Sequence, residues 1–253
     1  MNVSVISDYH IKHKNDQPYQ LVSKFLEDEG VLSSKYIFFL GDIFDLMVGN
    51  NKEYYFEYEE IFKKLKKLMD LNKEIHFFEG NHDFHLENFF GTYFEDYIYN
   101  RQFFYHKKYQ TFKLNKYKIF VCHGDDMEIG NYGYKMYSKW IKSFPMNLLA
   151  DYVIPYEFIK VFGEFASKSS RKRNLKKEHL LSKDFIKEKF RKSAEKVWRK
   201  TKVDYIMAGH SHCKDLFRSK LGFTYINNGH GPSEKTFIQI DLVNGDIKFR
   251  SIV

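Results

Sequence analysis

Five times along the chain, a short run of β-branched and aromatic residues stops at a cluster of Gly, Asp, Asn and His. "VSVIS" leads into Asp8 and His10, "YIFFL" into "GDIFD" at 41–45, and "IHFFE" into "GNHD" at 80–83. "KIFVC" leads into "HGDD" at 123–126 and "YIMA" into "GHSH" at 209–212. Apolar runs of this length bounded by Gly and Asp read as buried strands. Helical spacing fills the first gaps. Leu21, Val22, Phe25 and Leu26 share one face over 18–29, with Gly30 as the expected C-cap, and Ile61, Phe62, Leu65, Leu68 and Met69 do so over 53–72. Strands alternating with helices predict an α/β core. "TFKLNKYKIFVC" and "FIQIDLVNGDIKFRSIV" read as hairpins, the second with Asn244-Gly245 as a two-residue turn, so the strands are not all parallel.

The polar clusters all follow strands, and loops at the carboxyl ends of α/β strands converge on a crevice. On this reading Asp8, His10, Asp42, Asp45, Asn81, His82, Asp83, His123, His210 and His212 gather at one end of one sheet. Any one of these motifs alone is weak: "HSH" is more often a surface loop than a ligand pair. Together, crowded carboxylates and imidazoles repel or desolvate one another unless a cation holds them. Asp, Asn and His without a thiolate pair suit Mn, Fe or Zn, with Mn²⁺ the expected ion. Seven such donors exceed what one ion takes from protein, so two divalent ions are expected, with Asp42 as the bridge. His85 is left outside the site as a loop histidine.

Between His123 and Tyr205 the punctuation disappears. Residues 130–200 read as a helical, basic cap inserted into a core of 1–129 and 201–253. Leu181, Phe185, Ile186, Phe190, Ala194 and Val197 form a stripe at helical spacing that reads as packing surface. The segment 168–202 carries 15 Lys and Arg against four Asp and Glu, so the rest of a chain of net charge +8 is slightly acidic. Such a segment meets a phosphorylated substrate, an anionic membrane, a nucleic acid or only water. The start, "MNVSVISDYH", lacks the features of a secretory signal, and two cysteines make no disulfide framework, which predicts a cytoplasmic protein. The most apolar stretch, roughly 144–166, is interrupted by Pro145, Asp151, Pro155, Glu157, Lys160 and Glu164 and does not read as a membrane span.

"DYH", "GDIFD", "GNHD", "HGD" and "GHSH", in that order and spacing, resemble the motifs of the calcineurin-like metallophosphoesterases. The resemblance implies a four-layer α/β/β/α sandwich with a dinuclear metal site. Asp8, His10 and His212 would hold one ion and Asn81, His123 and His210 the other, with Asp42 shared. His82 would meet the substrate and Asp83 would orient it. "HGDDMEIGNYGYKMYSKW" and "FASKSSRKRN" further resemble the branch of UDP-2,3-diacylglucosamine diphosphatases of lipid A biosynthesis. That implies a nucleotide-linked lipid substrate under the cap, contacts from Asn81, Tyr134, Arg171 and Lys172, peripheral contact with an anionic membrane, and no nucleic-acid partner. The best-known members of that branch carry arginine where this chain has His82. A phosphodiesterase or nuclease, and a non-catalytic scaffold, stay open as alternatives.

Overall fold

The computed structural model describes residues 1–158, 161 and 182–253. Its strands, in chain order, are β1 (Asn2–Ile6), β2 (Ser34–Phe39), β3 (Met47–Val48), β4 (Glu74–Phe78), β5 (Asp83–Phe84) and β6 (Phe103–His106). They continue with β7 (Gln110–Leu114), β8 (Tyr117–Val121), β9 (Tyr205–Ala208), β10 (Asp215–Arg218), β11 (Thr224–Asn227), β12 (Thr236–Asp241) and β13 (Ile247–Ser251). Among the described residues two large sheets result, not one. The first has six strands in the order β13-β12-β1-β2-β4-β6, with β1, β2, β4 and β6 parallel. The second has five, in the order β10-β11-β9-β8-β7, with β8, β9 and β11 parallel. β3 and β5 pair separately.

The apolar runs are nearly continuous because both faces of each strand are covered. Side chains alternate across a strand, so neighbouring residues enter different layers. Phe38 and Phe78 turn inward with Val3 and Val5 to meet Ile119, Val121, Met207 and Ile226 of the second sheet. Phe39 and Phe77 turn outward onto Val22, Phe25, Phe62, Leu65 and Phe90 of the helices Gln17–Phe25, Glu59–Asp70 and Glu87–Tyr93. On the far side, Phe120, Cys122, Ile206, Ala208 and Tyr225 pack against Phe190 and Ala194 of the helix Lys183–Thr201. These are the four layers of an α/β/β/α sandwich.

The helix Lys183–Thr201 therefore supplies the fourth layer, although the sequence pattern places it in the inserted cap. Ile186 and Val197 join its apolar face, Phe185 is exposed, and Leu181 lies outside the described residues. Two other expectations change. Gly30 lies inside a short second helix, Glu29–Leu32, whose N-cap Asp28 accepts from the Gly30 amide, so it is no C-cap. The last hairpin turns through 242–246 between Asp241 and Ile247 rather than through two residues.

The described part of the cap includes the helices Tyr132–Ile141 and Phe144–Tyr152. Ile141, Ala150 and Ile154 seat on Leu46, Val48 and Phe84 beside the β3–β5 pair. At that seat Gly49 has φ +75°, and a Cβ there would lie 2.4 Å from the Ala150 carbonyl oxygen. Among the described residues no helix is long and apolar enough to cross a membrane.

Candidate metal centre

The loops after β1, β2 and β4 come from the first sheet and those after β8 and β9 from the second, and all open on one crevice between the sheets. Their register is tied by hydrogen bonds between loops. The amides of Asn81 and His82 donate to Asp42 Oδ1 at 2.8 and 2.9 Å. The His210 amide donates to the Asp8 carboxylate at 3.0 Å. Gly80 is needed for proximity, not for a left-handed turn, because a Cβ there would lie 2.1 Å from Asp42 Oδ1. The backbone is left-handed at Asp8 (φ 58°), His10 (53°), Asp42 (53°), His210 (65°) and His212 (53°). Non-glycine residues adopt this region at a cost, and such strain persists where surrounding structure holds it, often at functional sites.

Among the described residues, three groups of donor atoms lie within 4.8 Å of one another: Asp8, His10 and His212; His10, Asp45 and His82; and Asp8, Asp42 and His123. His123 Nδ1 donates to the Leu40 carbonyl at 2.7 Å, so in the neutral ring Nε2 offers only its lone pair. That lone pair faces the Asn81 side-chain oxygen at 3.0 Å, and His210 Nδ1 lies 3.0 Å from the same oxygen. Two acceptors, His123 Nε2 and Asn81 Oδ1, meet there, and a cation is what reconciles them. Across the crevice His10 Nε2 and His212 Nε2 stand 3.3 Å apart with Asp8 Oδ1 3.3 Å from the latter, three potential ligand atoms close enough for one ion to share. The His10 Nδ1 atom is buried and makes no hydrogen bond to a described residue. The residues fit two divalent ions by this test.

Charges respond accordingly. Burial pulls the Asp42 carboxyl up, but His123, His82, His10 and His210 outweigh it and hold it below the usual carboxylate range. Asp8 is likewise held down, against burial, by His212. His210 and His212 rise despite burial, the first through Glu128, Asp125 and Asp42 and the second through Asp8 and Asp42. Burial drives His10 well down. The carboxylates thus favour positive charge at His210 and His212, and a divalent ion bound there would take that place with release of protons.

Of the two residues assigned to chemistry by resemblance, His82 faces the crevice with its ring near His10, at 4.9 Å between centroids, and its Nδ1 donates to the Asp45 carbonyl at 2.8 Å. Asp83 does something other than orient that ring. Its fully buried carboxylate accepts from the amides of Asp42, Ile43, Phe44 and Gly80, which clamps two loops together. Tyr134 reaches Asp125 at 3.3 Å and its ring lies 5.9 Å from that of His210. Arg171 and Lys172 lie outside the described residues. His85 is no free loop residue: it is buried, and its ring donates through Nε2 to the Ile141 carbonyl at 2.8 Å, joining core to cap.

Three neighbours were missed from sequence. His230 sits 5.2 Å from His212 between ring centroids, after β11 in "TYINNGHG", a sixth run ending in a polar cluster. Lys142 Nζ stands 3.6 Å from Asp125 at the end of a cap helix. Glu128 lies 3.6 Å from His210 Nε2. Neither of the last two carries a motif signal.

Residues 1–214 match the calcineurin-like phosphoesterase family. This chain belongs to that family. It is a phosphoester hydrolase, and the family's use of divalent metals agrees with the donor geometry. A UDP-2,3-diacylglucosamine hydrolase of Histophilus somni is 21% identical over 93% of this chain and 94% of its own length. Another, of Wigglesworthia glossinidia brevipalpis, is 25% identical over 84% of this chain and 79% of its own. The solved structure of an archaeal phosphodiesterase superposes with a TM-score of 0.50 at 12% identity, covering 99% of both chains, a likeness in fold alone.

Proposed function

We propose that this family member is a dinuclear-metal diphosphatase that cleaves UDP-2,3-diacylglucosamine to UMP and 2,3-diacylglucosamine 1-phosphate. The observation that carries the reading is an aromatic, lysine-bearing helical pair seated beside the donor crevice. Its inner side brings Tyr134 and Lys142 to Asp125, and its outer side exposes Trp140 and Phe144. Acyl chains and a diphosphate ask for that pairing of surfaces, and the named relatives span nearly the whole chain.

Asp8, His10 and His212 would hold one ion, Asn81, His123 and His210 the other, and Asp42 both. Bound divalent ions would supply Lewis acidity toward phosphoryl oxygens and a water whose pKa falls toward about 7. The protein does the rest. With Nδ1 committed to the Asp45 carbonyl, His82 has only Nε2 with which to pass a proton to the leaving oxygen or to steady phosphoryl charge. Tyr134 and Lys142 orient the diphosphate. Exposed cations such as Lys196 and Lys200 on the fourth-layer helix would meet an anionic membrane surface.

The test is purified protein with Mn²⁺ and UDP-2,3-diacylglucosamine, products followed by phosphorus NMR. Release of UMP and the lipid 1-phosphate, lost in Asp42→Asn, is the expected result. Cleavage of a generic phosphodiester without turnover of the lipid nucleotide would discard the substrate and keep the chemistry.

A further inference from the structure

We infer that Glu128 is a positioning residue for His210, setting which ring nitrogen carries the proton and coupling the metal centre to the fourth-layer helix. The inference rests on the reading of His210 as a metal ligand. His210 is engaged on three sides. Its amide is tied to Asp8, its Nδ1 faces Asn81 Oδ1 at 3.0 Å, and its Nε2 faces Glu128 Oε2 at 3.6 Å. A neutral imidazole has one N–H, so a lone pair offered at Nδ1 requires the proton on Nε2. A carboxylate beside Nε2 favours that tautomer and makes Nδ1 a better donor, which is what carboxylates behind metal-bound histidines do. At 3.6 Å the contact is longer than a hydrogen bond, but the charge still biases the ring.

Glu128 is itself held from two elements. On its own loop, Asn131 Nδ2 donates to Oε2 at 2.9 Å. From the helix Lys183–Thr201, Lys189 donates to Oε1 at 2.5 Å. The same helix grips the loop once more, Ser193 Oγ accepting from the Ile129 amide at 3.2 Å, and its Phe190 ring lies 6.2 Å from that of His210. Lys189 thus reaches the donor cluster through one intervening carboxylate, from a helix that reads in sequence as a packing stripe within a basic segment. An exposed lysine on that helix, Lys192, has no such route.

The experiment is a Mn²⁺ titration of the chelator-stripped full chain by calorimetry, with the melting temperature of each metal-free variant as the folding control. Glu128→Gln keeps the volume and removes the charge. It is expected to weaken one of two ions about 10–100-fold, with the other ion and the metal-free melting temperature little changed. Glu128→Asp should recover part of that loss, Lys189→Met should weaken the same ion by a smaller factor, and Lys192→Met should change nothing. His210→Asn separates the two levels. If it loses an ion while Glu128→Gln binds both as wild type, the positioning role is overturned. If His210→Asn also binds both ions, the ligand reading fails and the inference falls with it. Should Glu128→Gln not fold, Glu128→Asp and Lys189→Met carry the same comparison.

Discussion

Asp8, Asp42 and His123 are between 0% and 3% exposed, and each is anchored by at least one backbone group. In the helical pair beside them, Tyr132 is 77% exposed and Phe144 74%. The first region has its side chains and backbone set before anything binds. The second offers large apolar groups whose arrangement a ligand can still choose. Chemistry shared by a whole family needs the former, because displacement at phosphorus tolerates little misplacement. Choice among substrates suits the latter, where packing can adapt. The two regions meet at Gly49, His85 and the Leu46–Val48–Phe84 seat, and experiments at either region sharpen the contrast.

Asp42→Asn should have the largest effect, a fall in kcat beyond the roughly 10²–10⁴-fold that a lost general acid costs, with both ions weakened in a metal titration. His82→Ala should stay within that range in kcat, with metal content retained; loss of metal would make His82 a ligand. A third test probes the scaffold beneath the site. His76 and His106 stack between the sheets with Nδ1 and Nε2 3.0 Å apart, and burial lowers them to about 3 and about 4. Folded values below the unfolded 6.5 mean the native state refuses protons that the unfolded chain accepts. Stability is whole above pH 6.5 and declines as pH falls toward 4, by up to about 1.4 kcal/mol per unit per group. His76→Phe should flatten that decline in denaturant melts at pH 4–7; an unchanged slope would move its cause elsewhere. Smallest, Gly49→Ala forces a Cβ against the Ala150 carbonyl and should raise KM for the lipid substrate about tenfold, worth about 1.4 kcal/mol. Hydrolysis of a small phosphodiester should be untouched; a parallel loss there would show that the seat also supports the donors.

Much of the scaffold was legible because β-branched runs ending in Gly, Asp and His announce strands with converging ends. Gly41-Asp42, Asn81 and "GHSH" lie where that pattern puts them. Which sheet each strand joins was not legible, since β8 and β9 carry the same local signal as β1 and β2 and differ only in long-range pairing. Periodicity found the apolar face of Lys183–Thr201 but not the layer it covers. Asp83 reads as a chemical partner in "GNHD", yet its acceptors are filled by backbone amides that no spacing reveals. Glu128 escaped notice because its meaning comes from Lys189, 61 positions away. His230 could have been found, for "TYINNGHG" repeats the pattern of the other five.

The left-handed backbone at Asp8, His10, Asp42, His210 and His212 has a further consequence, one of ancestry rather than mechanism. Outside glycine, that conformation is most tolerated by Asn, Asp and His. The palette that can coordinate an ion at these positions and the palette that can occupy them at all nearly coincide. A descendant relieved of its chemistry would not drift freely there: its vacated ligands would become Asn or Gly long before they became Val or Ile, and its loops would keep the shape of a centre they no longer served.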